Sequence, residues 1–158
     1  HILFKMNFLR RKLYKILSYY SVALLFPIES LYASSKKMIN QNLSKEQKDI
    51  MFNEGTERAF TSSLLTEKRK GTYHCANCGA LLFNSTAKYD SGTGWPSFTE
   101  AVPGAFNTKV DYSFAMKRIE YHCATCGAHH GHVFADGPGK TGKRFCNNGL
   151  CLIFKPSQ

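Results

Sequence analysis

The sequence predicts a mainly β fold of short antiparallel strands, and three observations predict it. From residue 71 onward, runs rich in Tyr, Phe, Val and Ile are divided by Gly, Pro, Asn and Asp, as in "GTYHCANCGALLFNS", "TKVDYSFAMKRIEYHC" and "GHVFADGPGKTGKRFC". Such texture belongs to short strands rather than helices. Cys75 and Cys78 form one CxxC pair and Cys123 and Cys126 another, with 44 residues between them and Gly after each. Each pair makes a tight turn that can aim two thiolates at one ion, so two turns complete a tetrahedral site. With all four positions filled by sulfur and none left for water, one structural Zn²⁺ per chain is expected, tying two distant hairpins together. Finally, 43% hydrophobic and 20% charged residues are ordinary for a chain that buries a core.

The elements before residue 71 read differently. Met6 opens a stretch with a basic start, the uncharged run Ile16 to Ile28, and small residues at Ala33, Ser34 and Ser35, the layout of a secretory signal over residues 1–33. Its 13 uncharged residues fall short of the ~20 needed to span a membrane. "RRKLYK" resembles the twin-arginine export signal, with Leu9 where that motif has a polar residue; an ordinary secretory signal is the alternative. His1 to Lys5 precede the expected start. Export to a periplasm, or an equivalent compartment such as a thylakoid lumen, follows from this reading, and a cytoplasmic site if the segment is no functional signal. Residues 34–42 are polar and aperiodic, a linker. Ser44 and Gln47 have the spacing of a capping box, which predicts a helix over about residues 45–53, before a Gly-, Thr- and Ser-rich loop with one helical turn.

The formal net charge is +10, but the first thirty-three residues hold five Lys/Arg against Glu29 and leave 16 basic and 10 acidic side chains beyond them, a net +6. Four thiolates on one Zn²⁺ lower that to +4. So mild a charge does not by itself make a nucleic-acid binder, and no nucleic-acid partner is expected.

Three segments hold more chemistry than a structural domain requires. "DSGTGWPSF" presents the one Trp of the chain, Trp95, in a rigid and exposed loop; "AHHGHVFADGP" offers three histidines; "KRFCNN" sets Arg144 and Cys146 on one side of an extended segment, where side chains alternate. A cation two residues away, with imidazoles nearby, lowers a thiol pKa, so Cys146 is the candidate nucleophile. Taken singly, Cys146 could be a buried small hydrophobe, His129 and His132 ordinary hydrogen-bonded histidines, and Trp95 a core anchor.

In this order "GTERAFTSSLL", "CANCGALLFNS", "KYDSGTGWPSF", "CATCGAHHGHVFADGP" and "TGKRFCNN" together resemble the B-type methionine-R-sulfoxide reductases over about residues 43–156. The resemblance implies a catalytic domain at 43–158: two antiparallel sheets in a compact, barrel-like core, short N-terminal helices, and the zinc site away from the active centre. It implies Cys146 as the nucleophile on the sulfoxide sulfur, His129 and His132 as the pair that handles the sulfoxide oxygen, and Asn148 helping to orient it. Arg144 would favour the thiolate, while Trp95 and Phe134 would bind substrate. Substrates would be oxidised proteins or free methionine-R-sulfoxide, with thioredoxin, glutaredoxin or a small thiol as reductant; nothing calls for more than a monomer.

Many members of that family carry a resolving cysteine two residues before the loop Trp, where this sequence has Thr93. Cys151 is a poor substitute, because five residues of regular strand would put it ~16 Å from Cys146 on the opposite face, and a disulfide needs Cα atoms within ~7 Å. Unless a turn intervenes at residues 147–149, Cys151 is core filling and an external thiol recycles Cys146. His130, where the family often has an apolar residue, is expected to be a surface variation. Two other classes stay open at this stage: a zinc-stabilised ligand- or nucleic-acid-binding module, which needs neither Cys146 nor Arg144, and a thiol-disulfide protein using its CxxC pairs, which binds no metal.

Overall fold

The computed structural model describes residues 36–158; the signal expected over residues 1–33 lies outside the described residues. One α-helix occurs among them, α1 (Lys45–Asn53). The Ser44 side chain accepts from the Gln47 N–H while the Gln47 side chain accepts from the Ser44 N–H, the reciprocal cap expected from their spacing. Ile50 and Met51 face inward. The one helical turn expected in the following loop is a short 3₁₀ turn at Ser63–Leu65.

Nine strands follow: β1 (Gly71–Cys75), β2 (Leu81–Asn84), β3 (Lys88–Tyr89), β4 (Ser97–Phe98), β5 (Phe106–Asp111), β6 (Arg118–Cys123), β7 (His129–Phe134), β8 (Arg144–Asn147) and β9 (Leu152–Pro156). They pair as two antiparallel sheets, β2-β1-β9 and β3-β4-β8-β7-β6-β5. The two-sheet architecture is as expected, with two corrections. Neither sheet closes on itself, so there is no barrel: β3 and β5 remain edges, and two-residue β3 and β4 are too short to carry a seam. The short helices reduce to one α-helix and 3₁₀ turns, because the loop's Gly, Thr and Ser do not sustain a second helix.

Aromatic side chains join the sheets. Phe83 of β2 stacks on Phe98 of β4 with ring centroids 4.0 Å apart, Tyr73 of β1 meets Phe98 edge-on at 5.0 Å, and Phe83 meets Phe106 of β5 at 5.2 Å. Such pairs contribute roughly 0.5–1.5 kcal/mol each beyond the area they bury. Tyr73, Phe83, Phe98 and Tyr121 are fully buried, and the alternation of β1 follows, since Gly71, Tyr73 and Cys75 turn inward together.

Residues 36–42 have no regular structure, as a linker would, yet they are tied to the metal knuckles. The Lys37 N–H donates to the Cys126 carbonyl, and the Asn77 amide bonds the backbone of Lys37, Ile39 and Asn40.

Candidate active site and metal centre

The two CxxC segments are the turns of two hairpins, β1-β2 in the small sheet and β6-β7 in the large one. They are built alike. Gly79 N–H donates to the Cys75 carbonyl and Gly127 N–H to the Cys123 carbonyl, both at 2.8 Å, and both glycines hold positive φ, 76° and 70°. A side chain there would be strained, which is why Gly follows each pair. The four sulfurs converge within 4.8 Å, with Cys75–Cys126 at 3.8 Å and Cys78–Cys123 at 3.6 Å. Sulfurs at ~2.3 Å around one tetrahedral zinc stand about 3.8 Å apart, so the donor set fits that ion. Donating its S–H to Cys123 and Cys126 pushes the Cys75 thiol up, burial pushes Cys78 up to about 12, and Cys123 is held down by its neighbours' S–H groups. Four thiols this close need a cation to ionise together.

His130 corrects the expectation of a surface variation. It is fully buried, with Nε2 3.4 Å from Cys75 Sγ, and burial pushes its pKa down to about 3. The cause is a bulge. His122 pairs with His129 and Tyr121 with Gly131, so His130 is the extra residue on β7. Gly131 takes φ 155°, and a Cβ on it would collide with the Cys146 carbonyl oxygen. The bulge also brings His129 and His132, three residues apart, to the same face of the sheet, which a regular strand would forbid. The HxxH spacing with an internal Gly is the sequence signal for it.

On that face β7 and β8 align His132 with Cys146 and Phe134 with Arg144. Arg144 makes a two-pronged ion pair with Asp136, 2.8 Å on each prong, and its guanidinium lies 4.5 Å from the centre of the Phe134 ring. Cys146 opens into a cavity of about 120 Å³ lined also by Thr56, Trp95, His132, Phe134 and Asn148. Trp95 is half-buried rather than exposed, because its Nε1–H donates to the Glu57 carbonyl at 2.8 Å. His129 does not line this cavity. Its ring centre stands 5.7 Å behind that of His132, and its Nδ1 is 2.5 Å from Glu120 Oε1. His132 Nε2 donates to Asp111 Oδ2 at 2.9 Å.

The Cys146 thiol departs from expectation. Burial raises its pKa above the ordinary value, and that outweighs the lowering by the Arg144 charge and by hydrogen bonds from Thr93 and Arg144. Burial likewise lowers His132 despite Asp111 beside it. Asn148 is held on two sides, with Oδ1 accepting from the Glu57 N–H at 2.9 Å and Nδ2 donating to the His130 carbonyl at 3.0 Å. Glu57 is the residue that sequence reasoning missed. Its peptide clamps Asn148 and Trp95, and its buried carboxylate accepts from the N–H groups of Gly149 and Leu150. Glu57 lies in the "GTERAFTSSLL" segment, which by itself assigns it no role; only the fold brings it 91 residues across the chain to Asn148.

The strand extrapolation applied to Cys151 fails, since β8 ends at Asn147 and a 3₁₀ turn, Gly149–Cys151, intervenes. Burial is nevertheless complete, and it pushes the Cys151 thiol well above its ordinary value. That is the environment of a core residue.

Fold and site define a class: a two-sheet domain pinned by a four-cysteine metal centre, with one further cysteine held in a small aromatic- and histidine-lined cavity. The SelR domain model matches residues 43–156. A peptide methionine sulfoxide reductase MsrB of Methanosarcina barkeri is 48% identical over 117 residues, covering 73% of this chain and 82% of that protein. Those of Variovorax paradoxus and Escherichia coli are 47% identical over 82% of this chain and 96% of that one, and 50% identical over 76% and 88%. The chain belongs to the SelR family, that of the B-type methionine sulfoxide reductases. Among solved structures, the Mis18 "Yippee-like" domain superposes with a TM-score of 0.47 at 15% identity, over 57% of this chain and 99% of that one, too slight a likeness to bear on function.

Proposed function

We propose that this chain reduces methionine-R-sulfoxide, chiefly in oxidised proteins, through Cys146. The observation that carries the reading is a cysteine kept out of the metal centre and set in a cavity with Trp95 and His132. The Cys146 thiolate attacks the sulfoxide sulfur, two protons reach the oxygen, and the S–O bond breaks to release water, leaving a sulfonium joined to Cys146. Water then attacks the Cys146 sulfur, the S–S bond breaks, methionine leaves with its electron pair, and Cys146 holds the hydroxyl as a sulfenic acid. The oxygen is a poor leaving group until protonated, so thiolate and acid act together. His132, beside Cys146, handles the oxygen, and His129 supports it from behind. Arg144 favours the thiolate, Asn148 fixes the floor of the cavity, and Trp95 with Phe134 receives the apolar end of the substrate.

The four cysteines would hold a structural Zn²⁺, which supplies no chemistry here beyond joining the hairpins. An external thiol attacks the sulfenic sulfur and releases water, and a second thiol resolves the mixed disulfide. Thr93 at the resolving position and the burial of Cys151 support this route. Residues 1–33 act as an export signal, which N-terminal sequencing of the mature protein tests.

The function is tested by assaying both sulfoxide epimers with wild type and Cys146→Ser, together with zinc content. Turnover of the R epimer, lost in Cys146→Ser, with one zinc per chain is expected. Activity on the S epimer alone, or activity untouched by the substitution, overturns the assignment. A zinc-stabilised binding module is not favoured, since it has no use for Cys146 beside Arg144.

A further inference from the structure

We propose a second cation site in this chain, built from Glu120 Oε1, His122 Nε2 and His129 Nδ1 on β6 and β7, which takes a divalent transition-metal ion of the zinc type. The three atoms lie within 4.8 Å of one another. Glu120 is 2% exposed and His129 1%. Glu120 Oε1 stands 3.0 Å from His122 Nε2 and 2.5 Å from His129 Nδ1, yet none of the three atoms has a partner in hydrogen-bond geometry. Buried polar atoms aimed at one another without satisfaction are rare in folded proteins and ask for a missing partner.

The tautomer of His122 says which kind. Its Nδ1 lies 3.2 Å from the Gly127 carbonyl. A carbonyl only accepts, so Nδ1 carries the proton and the neutral ring turns the Nε2 lone pair toward the carboxylate. Anchoring one ring nitrogen on a backbone carbonyl is how metal-binding histidines present the other. The second carboxylate oxygen is engaged by Lys109 at 3.3 Å, which leaves Oε1 for the ion.

Two imidazoles and one carboxylate are the donor set of open zinc and iron sites. Ligands on adjacent positions of an ion at ~2.1 Å stand roughly 3 Å apart. The Glu120–His122 separation already matches, and His129 has only to draw back slightly. The four-cysteine centre displays the same signature, buried donors converging on one point, with sulfur instead of nitrogen and oxygen. Because His129 also stands behind His132, occupancy would withdraw it from the sulfoxide site. That consequence rests on the proposed function; the site itself does not.

Cobalt separates the two centres. Protein isolated with its four-cysteine metal is equilibrated with Co²⁺ at mildly alkaline pH, where imidazole is neutral, freed of excess, and its metals are counted. Wild type is expected to hold two ions per chain, the added cobalt giving ligand-field bands without thiolate charge-transfer absorption. His122→Asn and Glu120→Gln are expected to hold one, still at the cysteines, whose retained ion reports that the knuckles are folded. A wild-type protein with a single ion, added cobalt with thiolate charge-transfer bands only, or a second ion kept by both variants overturns the proposal. The wild-type count decides whether or not the variants fold.

Discussion

Cys146 carries opposing influences, and the balance sets a pH dependence. Burial raises its pKa while Arg144 and Thr93 lower it, so at neutral pH the thiol form predominates and the thiolate grows as pH rises. The burst of methionine release is expected to climb through the neutral range and still be rising near the ordinary thiol pKa. Arg144→Ala removes a lowering influence, so its rising limb shifts to higher pH and its rate at fixed neutral pH falls; stopped-flow bursts across pH check both. Thr93→Cys places a thiol at the position from which Thr93 lowers the Cys146 pKa. After one turnover it is expected to give an intramolecular disulfide to Cys146 that wild type does not form, read by mass under non-reducing conditions. At this scale the sequence was informative where a motif carried the chemistry. Cys146, His132, Trp95 and Phe134 line one cavity, Arg144 packs on Phe134, and the four CxxC cysteines converge elsewhere. It was silent on Glu57, whose contacts are all long-range, and misleading on His130, whose burial depends on a bulge.

Local elements follow local rules here. The α1 cap was legible from Ser44 and Gln47, and Ser44→Ala is expected to cost about 1 kcal/mol in chemical denaturation, since the cap also fixes Gln47, whose amide donates to the Leu150 carbonyl. The β7 bulge is the opposite case. Gly131→Ala drives a methyl group into the Cys146 carbonyl at a φ that side chains rarely adopt. Roughly 2–3 kcal/mol of lost stability is expected, with a larger fall in activity, because His129 and His132 can no longer share a face. A regular alternation was the natural extrapolation for both β7 and the stretch from Cys146 to Cys151. In each place one backbone irregularity, invisible to periodicity, decided where a side chain points.

On the scale of the whole molecule, the metal centre joins sheets that otherwise share an aromatic seam. Removing the ion, by a strong chelator or by Cys123→Ser, is expected to lower the melting temperature sharply and abolish activity, though no cysteine of the centre lines the active cavity. The same geometry explains the division of labour among six cysteines: four converge on one point where a metal ion could be held, Cys151 fills the core, and Cys146 alone lines the aromatic cavity. Short antiparallel strands could be anticipated from strand texture, and two sheets from the family resemblance. Their failure to close could not, because it turns on the edge strands β3 and β5 staying apart, which no periodicity announces.

The most direct test is the mass of Cys146 after a single turnover with methionine-R-sulfoxide and no reductant. One added oxygen on Cys146, one equivalent of methionine and no change with the S epimer are expected. Methionine released while Cys146 stays unmodified, or an intramolecular disulfide to Cys151 in its place, would contradict a free sulfenic acid waiting for an external thiol.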